Sequence, residues 1–457
     1  MTWRGRLTLL APILLVALGV TASRLELSLP ELDWLAPPSG LRLGEVSNSP
    51  SSLVAPEGLV ERLPVSEAAF EEALQTVDWL PAEPGPGTRL WESVPVPAGS
   101  DLVAPLRLEY TLDVELTRQV FAVLEKSRVG LGHVLVLDPA TGNVLAYAST
   151  DPVRFPPTRH YPAASLIKVV TAAAALDMAP ESARRTCRFV GSPYRLTRSR
   201  IDPPKGGTEV SLSKALATSN NQCFAQLAVH TIGATAMLDV IRRFGFLEAA
   251  GPAHGAGVAE DPGEDAFALG RLGCGLSGCR ITPLHAARLA ATLDEGLLVE
   301  PRWLSRVVDG AGRDLAVAES GEPRRVLTPE LTKSVREMLV ETTQRGTARN
   351  AFKSRGRPLL GAVRVAGKTG SLSGRNPDGR YEWFAGVAPA ENPRIAVATL
   401  VVQGELWWRT SAQVAAQVFE KLFCEKGDCR ADHVERWFPQ APDAAVAAEL
   451  SAPKDPS

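Results

Sequence analysis

The chain has 457 residues, enough for one large domain or two to three of ordinary size, and 45% of them are hydrophobic, which supports a substantial core. Its 49 basic and 51 acidic residues leave a formal net charge of −2, with no long basic run. Nucleic acid is thereby excluded as a partner class.

The first 23 residues, MTWRGRLTLLAPILLVALGVTAS, place Arg4 and Arg6 ahead of an uncharged, mostly apolar stretch from Leu7 to about Ala22. That pattern predicts an export signal or a single-pass anchor in the cytoplasmic membrane. It is short for the roughly 20 apolar residues of a full span, and Val20 to Ala22 would serve as a cleavage site. Either way, positive charges before the apolar run put the rest of the chain in the periplasm or extracytoplasmic space. From Pro30 to Pro105 there are twelve prolines, and only Ser66 to Val77 reads as a helix. Residues 24–107 are therefore expected to be a Pro-rich linker or small pedestal, ahead of a domain over 108–438.

That domain opens near Leu108 with a short strand and an amphipathic helix in LEYTLDVELTRQVFAVLEK, then a strand pair around the Pro-Ala-Thr-Gly-Asn turn of GHVLVLDPATGNVLAYAS. A helix-rich middle runs from Ala163 to about Leu293. Strands return in RVAGKTGS and in YEWFAGVAPAENPRIAVATLVVQG, where Asn392 and Pro393 turn an antiparallel hairpin, and the helix Ser411 to Phe423 closes the domain. Strands from both ends flanking a helical middle predict one α+β sheet assembled from distant segments. The Ala- and Pro-rich tail, 439–457, reads as disordered.

Six cysteines in an exported chain are compatible with disulfides: Cys274 and Cys279 lie close, as do Cys424 and Cys429, and Cys187 and Cys223 remain for a third pair. The sequence leaves the pairing open. With no Cys-x-x-Cys and with His133, His160, His230, His254, His285 and His433 scattered, no metal and no cofactor is expected.

Chemistry is concentrated in YPAASLIKVVTAAAALD, where Ser165 and Lys168 stand three residues apart. Pro162 reads as part of a first helical turn, and residues three apart share a helix face. A partly desolvated lysine beside a hydroxyl can lose its proton and activate the serine as a nucleophile. Ser-x-x-Lys recurs at Ser211 with Lys214, where Ser211 reads as a helix N-cap, and at Ser451 with Lys454 in the tail. What singles out the first copy is its order: Ser219-Asn220-Asn221 and then Lys368-Thr369-Gly370 follow it, a known catalytic set.

On these motifs, and on LVLDPATGNVLAYAS, ITPLHAARLAATLDEGLLVEP, RGTARN and WFAGVAPAENPRIAVATLV around them, the chain resembles the transpeptidase domain of a penicillin-binding protein over roughly Leu108 to Phe423. The resemblance implies a five-stranded antiparallel sheet with a helical subdomain beside it and the active site between them. It also implies Ser165 as the acylated nucleophile, Lys168 as its general base, and Ser219 as a proton relay supported by Lys368. Asn221 would hold a substrate amide, while Thr369 and Ser371 receive the terminal carboxylate and Gly370 lets the strand edge approach the substrate. The oxyanion hole would map to the backbone N–H groups of Ser165 and Ser371. Mutual depression by the two lysines is expected to favour a neutral Lys168.

The implied partners are peptidoglycan stem peptides, β-lactams as inhibitors, the membrane through the N-terminal segment, and other cell-wall synthesis proteins. The N-terminal region is too short and Pro-rich for a glycosyltransferase module, so a monofunctional D,D-transpeptidase is expected. The rival readings are a D,D-carboxypeptidase or endopeptidase, a β-lactamase-type hydrolase, and a non-catalytic β-lactam receptor or scaffold. Asn220 at the middle of the second motif, and the lack of a Glu-x-x-Leu-Asn segment, weigh against the β-lactamase.

Overall fold

The computed structural model describes residues 53–317, 321–404 and 408–438, all within one compact unit, Ser52–Ser457. The N-terminal apolar segment, the tail and the Ser451/Lys454 pair lie outside the described residues. Two sequence-distant hairpins build the central sheet. Gly132–Leu137 and Val144–Ser149 form the first, turned by Asp138, whose carboxylate accepts from the Ala140 amide (3.0 Å) and the Thr141 hydroxyl (2.6 Å). Gly379–Ala388 and Ile395–Gln403 form the second. Ala366–Gly374 adds the edge, giving five antiparallel strands in the order 366–374, 379–388, 395–403, 132–137, 144–149.

The central strands read as continuous apolar runs because both faces are covered. Successive strand residues point to opposite faces. Phe384 accordingly packs on Phe419 of the closing helix Ser411–Phe423, while Trp383 turns the other way and donates its indole N–H to the Pro162 carbonyl at 2.8 Å. The closing helix begins with a capping box between Thr410 and Gln413. The helical subdomain lies on the Trp383 side, and the active-site cleft opens along the free edge of Ala366–Gly374.

The described part of the expected linker is folded onto this domain. Ser66 caps a helix, Glu67–Gln75, whose Phe70 is fully buried against Phe121. Arg89–Val94 is a strand in a second sheet with Leu106–Asp113, Leu304–Val308 and Asp314–Leu315. Prolines flank that strand and hide it in the sequence, and part of its sheet is drawn from residues about 200 positions further on.

Two of the three cysteine pairs are bonded, Cys187–Cys223 and Cys424–Cys429, whereas Cys274 and Cys279 are free and buried. Nearness in sequence misleads there, because Gly275 and Gly278, both at φ +77°, redirect the chain between them. Cys274 ends a helix with its thiol in the field of Lys168, while Cys279 enters a strand paired with Ala259 and feels Glu260.

Candidate active site

The nucleophile helix, Ile167–Met178, is apolar on every side and buried from Ile167 to Leu176, as a helix through the middle of a domain must be. Pro162 does not begin it. Tyr161–Pro162 is instead a short strand paired with Arg280–Ile281, and Trp383 holds the Pro162 carbonyl. Ser165 sits in the single 3-10 turn Ala164–Leu166 between strand and helix. Ala164 there has φ +47°, a left-handed conformation that costs a non-glycine residue about 1–3 kcal/mol and persists only where neighbours hold it. They do: the Ala163 amide donates to the Cys279 carbonyl (3.1 Å). Gly275 also packs so closely that a Cβ would lie 2.0 Å from the Ala164 carbonyl oxygen.

One turn on, Lys168 is completely buried. Its Nζ lies 2.6 Å from Ser165 Oγ, 2.7 Å from Asn221 Oδ1, 2.7 Å from the Cys274 carbonyl and 3.4 Å from Ser219 Oγ. Asn221 Oδ1 and the Cys274 carbonyl can only accept. A neutral amine has two N–H groups for those two oxygens, and its lone pair is then left for the Ser165 hydroxyl proton. Burial drives the amine toward that neutral state, lowering its pKa to about 8. Lys368 has no part in that lowering, so the expected mutual depression runs one way: Lys368 is held well below the ordinary lysine value by burial first and by the Lys168 charge second.

Ser219 follows the helix Leu212–Ala217, which Ser211 caps by accepting from the Lys214 amide, as expected. At φ +58° Ser219 is a second strained non-glycine residue. Its hydroxyl lies between the two lysines, accepting from Lys368 Nζ at 3.1 Å. Asn220 caps the next helix, Asn221–Leu227, by accepting from the Cys223 amide (3.1 Å). Asn221 joins Lys168 to a loop, donating from Nδ2 to the Tyr194 carbonyl at 2.8 Å.

From the edge strand, Lys368 Nζ also donates to the Thr369 carbonyl (2.8 Å), and Thr369 Oγ1 shares a 2.6 Å hydrogen bond with Thr347 Oγ1. Ser371 Oγ is buried and has no hydrogen-bond partner among the described residues. Gly370 gives the edge its approach: a Cβ there would stand 3.3 Å from both the Ser165 amide nitrogen and the Ala163 carbonyl oxygen. All eight residues singled out in the sequence thus meet at one place. Six of them, Ser165, Ser219, Asn221, Thr369, Gly370 and Ser371, line a cavity of about 550 Å3, with Lys168 and Lys368 buried in hydrogen-bond contact with that lining.

Sequence reasoning missed the Cys274 carbonyl, because a backbone acceptor leaves no residue-type signal. It missed Thr347 and Tyr194 as well, although Thr347 lies in the RGTARN stretch that carried part of the resemblance.

A five-stranded sheet and a helical subdomain that bring a serine hydroxyl onto a buried lysine whose pKa burial lowers toward neutrality define an active-serine acyl-transfer fold. The family described as the penicillin binding protein transpeptidase domain matches residues 132–423. The chain belongs to that family. It is 28% identical over 317 residues to the peptidoglycan D,D-transpeptidase PbpA of Mycolicibacterium smegmatis, covering 60% of this chain and 62% of that one. The chain thus spans about three-fifths of the length of that curated relative. Among solved structures, PBPA from Mycobacterium tuberculosis superposes with a TM-score of 0.57 at 23% identity over 68% of this chain and 80% of that chain. The ceftriaxone acyl-enzyme of M. tuberculosis penicillin-binding protein A gives 0.57 at 24% identity over 68% and 79%. At this identity the structures establish the fold.

Proposed function

We propose that the protein is a monofunctional peptidoglycan D,D-transpeptidase, acylated and inhibited by β-lactams. The observation that carries this reading is the Lys168 amine, its pKa lowered by burial and its Nζ held 2.6 Å from Ser165 Oγ between the Asn221 Oδ1 and Cys274 carbonyl acceptors. Ser165 attacks the carbonyl of the penultimate D-Ala residue while its proton passes to Lys168. The tetrahedral oxyanion is met by the Ser165 and Ser371 amides. Ser219, between both lysines, relays the proton to the departing D-Ala amine, and Lys368 positions that relay by donating to its hydroxyl at 3.1 Å. Thr369, with Thr347, and the unpartnered Ser371 hydroxyl receive the substrate's terminal carboxylate. Gly370 admits the substrate backbone, and Asn221 orients its amide. An incoming amine then takes the acyl group from Ser165.

Hydrolysis would require a base aimed at water on the acyl-enzyme. Among the described residues lining the cavity, Glu382 is the acidic one, and its carboxylate is engaged by Gln403 Nε2 (3.2 Å) and the Ser411 amide. A long-lived penicilloyl-enzyme follows. In this reading residues 1–23 anchor or export the chain, 24–107 connect the anchor to the catalytic region 108–438, and 439–457 form a tail. The two disulfides fit an oxidising, extracytoplasmic compartment.

Mass spectrometry of the purified protein with penicillin, and with a D-Ala-D-Ala thioester plus a D-amino acid, tests the proposal. The expected result is a penicilloyl adduct on Ser165 that lasts minutes or longer, and an acyl product transferred to the amine in preference to water. An adduct on another residue, or hydrolysis alone, would overturn it.

A further inference from the structure

The strands Thr186–Phe189 and Thr208–Ser211 pair as a hairpin, and the chain between them, 190–207, forms an arm beside the cleft. This arm is built into the catalytic wall. Gln222, fully buried, spends its whole amide on it: Oε1 accepts from the Val190 amide (3.3 Å), and Nε2 donates to the Val190 (2.9 Å) and Ser192 (2.8 Å) carbonyls. Asn221 adds its backbone N–H to the Pro193 carbonyl (2.9 Å) and its side chain to the Tyr194 carbonyl. The Cys187–Cys223 disulfide fastens the root of the arm to the same helix. A merely solvated loop needs none of this. The clamp fixes Tyr194, 56% exposed, on the lining of the cavity that holds Ser165.

The arm is also the most one-sided charge segment near the site. From Ser182 to Gly207 there are seven Lys and Arg residues against Asp202 alone, in a chain of net charge −2. Arg185, Arg188 and Arg198 are paired with Glu181, Glu209 and Asp265. Among the described residues no ion pair neutralises Arg184, Arg195, Arg200 or Lys205. Arg195 directly follows Tyr194, and Arg200 Nη1 donates to the Arg195 carbonyl at 3.1 Å, which ties the Arg200 guanidinium to the backbone next to Tyr194.

We infer that this arm is the acceptor-side recognition element of the cleft: Tyr194 supplies a contact surface, and Arg195 with Arg200 select an amine acceptor that carries a carboxylate close to its nucleophilic nitrogen. The inference rests on the acyl-transfer reading above and adds which acceptors are taken. In the step it serves, the acceptor nitrogen bonds to the acyl carbon and the bond from that carbon to Ser165 Oγ breaks. One amine proton passes through Lys168 to Ser165 Oγ.

The test uses the purified full chain, a D-Ala-D-Ala thioester as donor, and D-Ala or D-alaninamide as acceptor, the amide lacking the carboxylate. The aminolysis-to-hydrolysis ratio is measured for each. Comparing acid with amide across variants cancels the intrinsic nucleophilicity of each amine. Replacing both guanidinium groups (Arg195→Ala with Arg200→Ala) should shrink the preference for D-Ala over the amide by about fivefold, the scale of one or two exposed ion pairs. Arg184→Ala with Lys205→Ala, an equal charge change at the two ends of the segment, should leave that preference within twofold. In the unaltered protein the same preference should fall as salt rises from low to high ionic strength, a readout independent of any variant's folding. Acylation by penicillin with an unchanged acid-to-amide preference in the Arg195→Ala/Arg200→Ala variant, or an equal loss in Arg184→Ala/Lys205→Ala, overturns the inference alone. Absence of penicillin acylation in the unaltered protein overturns the acyl-transfer reading and the inference with it.

Discussion

Asn221→Asp keeps the side chain's size, places a negative charge beside Lys168 and gives up the Nδ2 hydrogen bond to the Tyr194 carbonyl. In the native protein Lys168 Nζ lies 2.7 Å from Asn221 Oδ1 and, with a pKa of about 8, is neutral in about one molecule in ten at pH 7. A carboxylate at that distance favours the charged ammonium, and an opposite charge this close typically moves a pKa by about 1–3, which takes Lys168 to roughly 10. The neutral fraction at pH 7 then falls to about one in a thousand. Acylation should slow by about 100-fold, equivalent to about 2.7 kcal/mol in the barrier. The assay is the second-order rate of labelling by a fluorescent penicillin between pH 6 and 10.5 at constant ionic strength. The native protein should gain about tenfold from pH 7 to pH 9 and then level off, whereas Asn221→Asp should still be rising at pH 9 and should approach the native rate only above about pH 10. A uniformly slower variant whose rate still levels near pH 8 would refute the reasoning. It would mean that Asn221 acts through the substrate and leaves the charge of Lys168 alone.

Ser165→Ala should abolish penicillin labelling, while Ser211→Ala should keep it and lower stability by about 1 kcal/mol through the lost cap, measured by urea unfolding. Gly275→Ala should slow acylation well beyond its effect on stability, because its Cβ meets the Ala164 carbonyl oxygen at 2.0 Å and must displace the turn that carries Ser165; an unchanged labelling rate would disprove that coupling. Thiol titration without reductant should find two thiols in denaturant, Cys274 and Cys279, and none reactive in the native state. Finally, His133 is fully buried, and burial lowers its pKa to about 3, with the nearby His254 acting in the same direction and the Phe155 backbone against it. Its folded pKa is below the unfolded value of about 6.5, so the stability it permits is complete above that pH and is lost as pH falls toward 3. His133→Phe, which can keep the stacking on Phe155, should therefore gain up to about 2 kcal/mol over the native protein on going from pH 7.5 to pH 5. A parallel loss in both proteins would show that His133 is not the group responsible.

What the sequence determined by itself follows from local physics. Short continuous apolar runs around the turns at Asp138 and Asn392 specify hairpins, and the serine cap before Leu212 marks a helix start that the structure reproduces at that position. The ordered motifs at Ser165, Ser219 and Lys368 were legible because acyl transfer demands particular side chains, whatever the chain does between them. Tertiary structure decided whatever depends on approach between distant segments. The Arg89–Val94 strand exists because residues 106–113 and 304–308 complete its sheet, so its own Pro-rich neighbourhood gives no hint of it. Pro162 pairs with Arg280 instead of opening a helix because Trp383, more than 200 residues later, holds its carbonyl. Cys274 and Cys279 stay unbonded because two left-handed glycines turn the backbone between them. The state of Lys168 was likewise set by the fold. A lysine three residues after a serine is ordinarily a solvated cation, and it becomes a base here because the core excludes water and the Cys274 carbonyl and Asn221 take up its N–H groups.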